Sequence, residues 1–449
     1  MGKLRLEEAL RPAGRSRGGV RVPHQKNTAT SQTVEMPPPE RVVLPMQQHI
    51  GAACTPIVKP GEHVFLGQKI GDSGGFVSAP VHASVSGTVK AVGELLLPGG
   101  QRVKTVEIQS DGEMQPDPAI APPKAEALSD LIEAARASGL VGLGGAGFPA
   151  HVKLTPNPGK PIDTLIVNGA ECEPFITSDH REALENGADV MDGVYTLLRL
   201  TGVQRVIIAI EDNKPDAIQA LYDIAASQRD TKHQVFVMPM KSRYPMGAEK
   251  VLVQNAAGRE IPMGQLPADV GCLVMNITSV GFLARYLKTG MPLVSKRITV
   301  DGSAVGTPCN LRVPIGASIA DVIAFCGGYR EEPGKILMGG PMMGLALVDD
   351  SLPVLKQNNA ILALAQRDCK PEKATACIRC GRCVAACPMG LMPTAAERQV
   401  KTGDASALEK AGVSACIECG SCAFSCPAKR PLVQSMRLAK EMVRKAASR

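Results

Sequence analysis

Apolar residues recur along the chain in two rhythms, and the change from one to the other marks its parts. Between residues 40 and 110 short Val and Ile runs alternate with Gly and Pro: RVVLPMQQHIG, TPIVKPGEHVFLGQKIG, APVHASVSGTVKAVG and KTVEIQSDG. Short strands at such spacing predict a small all-β barrel or sandwich. Prolines 116, 118, 122 and 123 stiffen a linker. A helix is then expected from Ser129, which can cap it, to Ala137, with Leu131, Ile132 and Ala135 on one face. Further on, DTLIVNG (163–169), RVIIAIED (205–212), QVFVMP (234–239) and GCLVMNI (271–277) alternate with helices near 182–200 and 214–227, from Ala248, and near 278–289. That order predicts a Rossmann-like parallel sheet covered on both faces. Residues 297–347 change again: RITVDG, NLRVPIG, a helix SIADVIAFCGG capped by Ser318, and KILMGGPMMGLAL predict a small β-grasp module. Met338, Met342 and Met343 are read as packing within it.

The last part of the chain carries chemistry. Cys377, Cys380, Cys383, Cys387 and Pro388 spell C-x-x-C-x-x-C-x-x-x-C-P, and Cys416, Cys419, Cys422, Cys426 and Pro427 repeat it. In the bacterial two-cluster ferredoxin run, three thiolates of one copy hold a 4Fe-4S cluster and the fourth belongs to the other. One cluster is therefore expected on Cys377, Cys380, Cys383 and Cys426, and a second on Cys416, Cys419, Cys422 and Cys387. Paired C-x-x-C also reads as a zinc ribbon, but eight cysteines in a duplicated run with both prolines weigh against it. Of the others, Cys54, Cys172, Cys272, Cys309, Cys326 and Cys369, most are expected to be buried thiols. A closing basic helix can pack Leu432, Met436 and Val443 on this region. The fold class is thus multidomain α/β: a basic lead and barrel-sandwich at 1–115, the parallel-sheet domain at 125–292, the β-grasp at 293–350, and a helical two-cluster ferredoxin-like domain at 365–449.

Composition narrows the function. The net charge of +7 comes from 50 basic and 43 acidic residues, yet aromatics are only 3% with no Trp, so bases would find little to stack on; nucleic acid is not an expected partner. The start, MGKLRLEEALRPAGRSRGG, has no apolar core for a signal peptide, and Leu6 breaks the myristoylation pattern. No stretch reaches the roughly 18 to 20 apolar residues of a membrane helix. Fourteen cysteines, eight of them in cluster runs, point to a reducing cytoplasm.

Gly142, Gly144 and Gly147 formally satisfy G-x-G-x-x-G, a dinucleotide fingerprint only where it follows a strand and opens a helix. Here it follows a helix and leads through Pro149 and Lys153 to a strand. What remains is physical: five glycines among residues 139–147, Gly145 included, leave backbone N–H groups bare for a phosphate or flat ring, and Lys153 supplies charge. Leu140, Val141, Leu143 and Phe148 make the loop too apolar for a linker. Ligands gather at the carboxyl ends of parallel strands. Those ends carry Asn168, Glu171 and Glu173 (NGAECEP), Glu211 and Asp212, Met238 to Tyr244, and Asn276. In the barrel, VKPGEHVFLGQKIG and APVHASVSGTVKAV resemble the halves of a biotinyl/lipoyl barrel without a carrier Lys in the turn, and His49 and His82 are read as turn histidines bonded to backbone.

Taken together, GLVGLGGAGFPAHVK, VNGAECEP, RYPMGAEK, GREIPMGQLPADVG, MGGPMMG and the doubled cysteine run resemble the RnfC family, the C subunits of Rnf electron transport complexes, along essentially the whole chain. The sheet region is also similar to the complex I flavoprotein that holds FMN and oxidises NADH. Ala248 stands where that flavoprotein has the first of two glutamates, and Ile277 where it has a second Asn. The resemblance implies that the glycine loop, Lys153 and Asn168 surround FMN and that Glu171 and Glu173 face flavin and NADH. It also implies that Tyr244, Gly247 and Glu249 complete the pocket. It implies an NAD(H)-dependent oxidoreductase subunit, peripheral on the cytoplasmic side of the bacterial membrane, whose partners are the other Rnf subunits and, through a neighbour, ferredoxin. The alternatives are a cobalamin reductase of propanediol microcompartments and an electron-carrying adaptor without hydride chemistry.

Overall fold

The computed structural model describes residues 10–227, 234–370 and 372–447. The signal-peptide and myristoylation readings, which turn on the first residues, lie outside them. Among the described residues no helix is long and apolar enough to cross a membrane.

The barrel-sandwich is built from two small antiparallel sheets. Strands Arg41–Pro45, Arg102–Ser110, Gly87–Leu96 and His63–Val64 form one, and Thr55–Pro56, Lys69–Asp72 and Val81–His82 the other. Alternation sets the inside: Val42, Leu44, Val106 and Ile108 have no exposed surface. His49 behaves as expected of a turn histidine, its Nε2 taking the Ala79 N–H at 3.2 Å. His82 also has a backbone partner, Ala137, while its Nδ1 has none among the described residues.

The parallel sheet runs Val235–Met240, Arg205–Glu211, Thr164–Gly169, Cys272–Asn276. Its strands are buried on both faces, as the near-continuous Val and Ile runs required. Two local expectations need correction. The first helix spans Leu128–Ala137 and Ser129 does not cap it: Asp130, further along, accepts the N–H of Ala127 at 2.9 Å. The helix expected at 182–200 is two, Ser178–Glu185 and Gly187–Thr201, broken at Asn186. The break has a cause, because the Asn186 carboxamide oxygen takes a 2.6 Å hydrogen bond from Arg297 of the next sheet.

That next sheet has six strands, ordered Thr33–Glu35, Cys309–Pro314, Ser295–Asp301, Ala360–Ala365, Pro333–Met338, Leu345–Ala346. Ser318 caps the helix Ile319–Phe325 as predicted, accepting Asp321 N–H at 3.0 Å. Periodicity did not reveal that an inner strand comes from beyond residue 350 and an edge strand from the amino-terminal lead. The final helix, Leu432–Ala447, buries Leu432 and Met436 against the cysteine-bearing segments.

Buried polar bonds join these units. Lys356 is 1% exposed and donates to the carbonyls of Pro80 (2.6 Å) and Gly139 (2.8 Å), one in the barrel and one ahead of the glycine loop. Burial pushes its pKa down to about 8. Glu182, with no exposed surface, pairs with Arg297 and with Arg285 at 2.7 Å. Arg297 also reaches Glu185 at 3.0 Å and Thr33 at 2.8 Å.

Removing one partner of such a buried pair strands the other charge, at a cost of about 3–5 kcal/mol. Glu182→Ala is therefore expected to destabilise the chain by that amount in urea unfolding. A change below about 1 kcal/mol would show that the cluster contributes nothing net.

Candidate functional site

The glycine loop is held at its apolar positions and free at its tip. Leu140, Val141 and Leu143 are at most 1% exposed. Gly142 N–H bonds Phe148 O at 2.8 Å, Ser279 Oγ accepts Leu143 N–H at 3.1 Å, and the buried Lys296 ammonium donates to Leu143 O at 2.6 Å. Between these anchors Gly144, Gly145 and Ala146 are exposed, and their amides have no acceptor among the described residues. Gly145 has φ +137, open to glycine alone. A Cβ on Gly144 would lie 2.8 Å from Asn276 Nδ2, so a side chain there would fill the floor of this cradle. Bare amides on an exposed loop tip fit the phosphate end of a flavin nucleotide.

Around the tip the structure gathers most of the expected residues. Asn168 and Asn276 face each other in register at the carboxyl ends of adjacent parallel strands. Asn168 Nδ2 donates to Gly247 O at 2.9 Å and fixes that glycine, where a Cβ would come within 2.3 Å of Ala170 O. Lys153, on the short helix Ala150–Leu154, meets Glu249 at 2.5 Å and Val274 O at 3.1 Å. Both side chains are partly exposed, at 26% and 39%, so the pair is weak enough for an incoming phosphate to displace.

The two acids of NGAECEP part company. Glu171 departs from its expected orientation toward the ligand: its carboxylate accepts Ser178 Oγ at 3.1 Å and Asp179 N–H at 2.8 Å, occupying the start of the helix Ser178–Glu185. Glu173 instead accepts Met342 N–H at 3.0 Å and lies 3.4 Å from Tyr244 OH. Burial pushes its pKa up, against the pull of those amides and the phenol. Tyr244 OH also donates to Cys419 O at 2.7 Å, so one phenol touches the strand-end pocket and the cysteine region together.

Sequence reasoning missed three residues here. Asp179 is partly buried beneath the loop, bonded to Asn276 Nδ2 at 2.7 Å and Thr278 Oγ1 at 2.6 Å, and burial with Glu171 beside it pushes its pKa up to about 6. Lys296 carries a pKa pushed down to about 8 by burial. Lys26 donates to the carbonyls of Glu171 (2.8 Å), Glu173 (2.8 Å) and Ile176 (2.5 Å). Asp179 two residues beyond Thr177, at a helix start, was a readable signal; nothing local marks the lysines.

The two cysteine runs fold alike. Arg379 and Glu418, at matching places, both have φ +56, and their amides donate to Cys377 Sγ at 3.4 Å and Cys416 Sγ at 3.3 Å. Cys387 lines one small apolar cavity together with Cys416, Cys419 and Cys422. Burial pushes the Cys383 thiol pKa up, and the neighbouring Cys426 and Cys377 add to that rise. Among the described residues no three His, Cys, Asp or Glu side chains converge on one ion position. Sulfurs from both runs that border a cavity, with amides aimed at them, fit a cluster better than zinc.

Four family models match successive parts of the chain. Residues 14–113 match the RnfC barrel sandwich hybrid domain, 135–285 the Nuo51 FMN-binding domain, 297–346 the SLBB domain and 372–430 the 4Fe-4S dicluster domain. The chain is 43% identical over 441 residues to the C subunit of a Na+-translocating ferredoxin:NAD+ oxidoreductase complex of Acetobacterium woodii, covering 96% of this chain and 97% of that one. It is 42% identical over 382 residues to the C subunit of the proton-translocating ferredoxin:NAD+ oxidoreductase complex of Clostridium ljungdahlii, covering 84% and 82%. It is 42% identical over 438 residues to the C subunit of an ion-translocating oxidoreductase complex of Rhodobacter capsulatus, covering 96% and 84%. None of these relatives is named as a cobalamin reductase. The fold is similar to that of a chain of an NAD+-reducing NiFe hydrogenase in the air-oxidized state, with a TM-score of 0.50 at 18% identity, over 72% of this chain and 64% of that one. This chain thus spans under two thirds of the hydrogenase chain. Identity of about two residues in five to these C subunits, over nearly the whole length, decides the matter, and the chain belongs to the RnfC family.

Proposed function

We propose that the chain is the NADH-binding flavo-iron-sulfur subunit of an ion-translocating ferredoxin:NAD+ oxidoreductase, passing electrons between NAD(H), FMN and two 4Fe-4S clusters. The observation that carries this reading is the Tyr244 phenol, 2.7 Å from Cys419 O and 3.4 Å from Glu173. It joins the nucleotide side of the chain to the cysteine side through one rigid ring. When bound, FMN divides the electron pair of a hydride into the single electrons that a cubane cluster accepts.

The chain's own residues take these roles. The Gly144, Gly145 and Ala146 amides and Lys153 hold the phosphate, with Glu249 keeping Lys153 aimed until it arrives. Phe148, Gly142 and Gly147 shape the loop, and Asn168, Gly247 and Asn276 border the ring. Glu173 faces the nucleotide, whereas Glu171 acts on the loop through the helix it caps. Cys416, Cys419, Cys422 and Cys387 hold the cluster nearer the flavin. Cys377, Cys380, Cys383 and Cys426 hold the outer one, and exposed Cys377 and Cys380 support electron exit there to another subunit. Ferredoxin meets the complex through a neighbouring subunit. The chain sits peripherally on the cytoplasmic side of the membrane, and ion movement falls to membrane-spanning partners.

Anaerobic purification tests the reading: FMN is retained or can be restored, and NADH bleaches the visible absorption of the clusters. A chain that takes no FMN and whose clusters NADH never bleaches overturns it. Lys153→Ala is expected to weaken FMN retention while iron content stays unchanged; equal loss of both would remove Lys153 from the site. The cluster order has its own test, because Cys387→Ala and Cys380→Ala should each lose about half the iron. NADH should still bleach the cluster remaining in Cys380→Ala and fail to bleach the one remaining in Cys387→Ala. The reverse pattern would invert the order.

A further inference from the structure

Residues 14–36 form a strap that lies across three units. Gly14 N–H bonds Asn255 O at 3.1 Å, and Gly19 N–H bonds Ala386 O at 2.9 Å, one residue before the cluster ligand Cys387. Val20 and Tyr244 exchange both backbone bonds, at 2.7 and 3.0 Å. The strap ends as the edge strand Thr33–Glu35 of the six-stranded sheet. At its middle lies Lys26, half-buried along its stem with an enclosed ammonium.

Three backbone oxygens, those of Glu171, Glu173 and Ile176, converge on this one ammonium at 2.5 to 2.8 Å. Carbonyls turned inward on one center cannot pair with each other, so without a cation the loop must open or admit water. The loop is also strained. Phe175 has φ +71, rare for a bulky residue, and its N–H is held at 3.0 Å by His24 O, again from the strap. Ile176 has no exposed surface and anchors the far end. The loop that carries Glu173 is therefore shaped from outside, by a residue about 145 positions earlier in the chain.

We propose that Lys26 is a positioning residue for the flavin and NADH site: its ammonium occupies a site for a monovalent cation built from the carbonyls of residues 171, 173 and 176, and so sets where Glu173 stands. This rests on the function proposed above. It adds that the amino-terminal strap is part of the nucleotide site and not a tether. It also implies a specific chemistry, because three carbonyl oxygens emptied of their lysine suit a small ammonium or a potassium ion.

The test compares the full-length chain with Lys26→Ala and Lys26→Arg, both purified anaerobically with clusters in place. In Lys26→Ala, hydrogen exchange of the amides of residues 171–173, 175 and 176 is expected to rise at least tenfold while the barrel and cysteine segments keep their protection. The KM for NADH should rise at least tenfold and kcat change less than threefold. Ethylammonium at millimolar concentration should restore both the protection and the KM, choline should restore neither, and Lys26→Arg should lie close to wild type. Unchanged loop exchange in Lys26→Ala overturns the proposal, as does exchange that rises everywhere with loss of iron, or a KM and loop that ethylammonium leaves untouched. A wild-type chain that takes up no FMN would sink the flavin reading instead. The exchange and rescue measurements would then still decide the role of the lysine in the loop.

Discussion

Three enclosed lysine ammoniums, Lys26, Lys296 and Lys356, hold the units of this chain in register, each by giving protons to backbone carbonyls of another segment. An ammonium taken out of water is costly unless its donors are satisfied, and carbonyl dipoles satisfy them without adding countercharge. Such a contact is short, directional and lost entirely if the segments separate. Electron transfer between a flavin and clusters on different units needs that intolerance of drift. Lys296 fixes the glycine loop from the β-grasp sheet, Lys26 fixes the opposite loop from the strap, and Lys356 ties the barrel behind both. The Glu182, Arg285 and Arg297 cluster adds a fourth joint between the parallel sheet and its neighbour.

The pocket between these joints is polar in an uneven way. Its inner wall is more closed, with Glu171 and Lys296 buried and Asp179 partly buried beneath the loop. Burial there moves the Asp179 carboxyl up and the Lys296 ammonium down, both toward neutrality. Its outer wall, Gly144 to Ala146 with Lys153 and Glu249, is open to solvent. The donors still free to meet a ligand therefore lie on the outer wall. The inner wall supplies rigidity, since its hydrogen-bonding capacity is already taken up within the fold.

Much of the architecture was legible in the chain. Alternating Val and Ile runs predicted the barrel, the β-α-β-α order predicted the parallel sheet, and the doubled cysteine run marked two segments that fold alike. The helix split at Asn186 was not legible, because its cause is Arg297, more than a hundred residues away. The same holds for Glu171. Read locally it is an acid beside a glycine loop; folded, it is the cap of a helix whose true start, at Ser178, lay before the predicted one. Lys26 sat in the basic lead, where nothing local marks it apart from the other charges. A strand from residues 33–35 and another from 360–365 complete a sheet whose local pattern named neither: the first is only three residues long at the edge, and the second, an inner strand, lies beyond the segment that carried the pattern.

The matched geometry of the two cysteine loops reaches beyond cluster binding. Arg379 and Glu418 share one backbone conformation and aim equivalent amides at equivalent sulfurs, but Cys387 Sγ also accepts the Leu391 N–H at 3.4 Å and Cys419 Sγ lies 3.4 Å from Ser421 Oγ, so hydrogen bonding favours the reduced state more on the Tyr244 side. Solvent separates them as well. Cys377 and Cys380 face water with Arg379 and Arg382 exposed beside them, whereas Cys419 is buried under Tyr244. Water favours the reduced state on the outer side, whereas the Lys440 ammonium beside Cys416 and the added hydrogen bonds favour it on the inner side, so the two influences oppose each other. A balance that depends on exposure can be shifted by whatever protein covers Cys377 and Cys380.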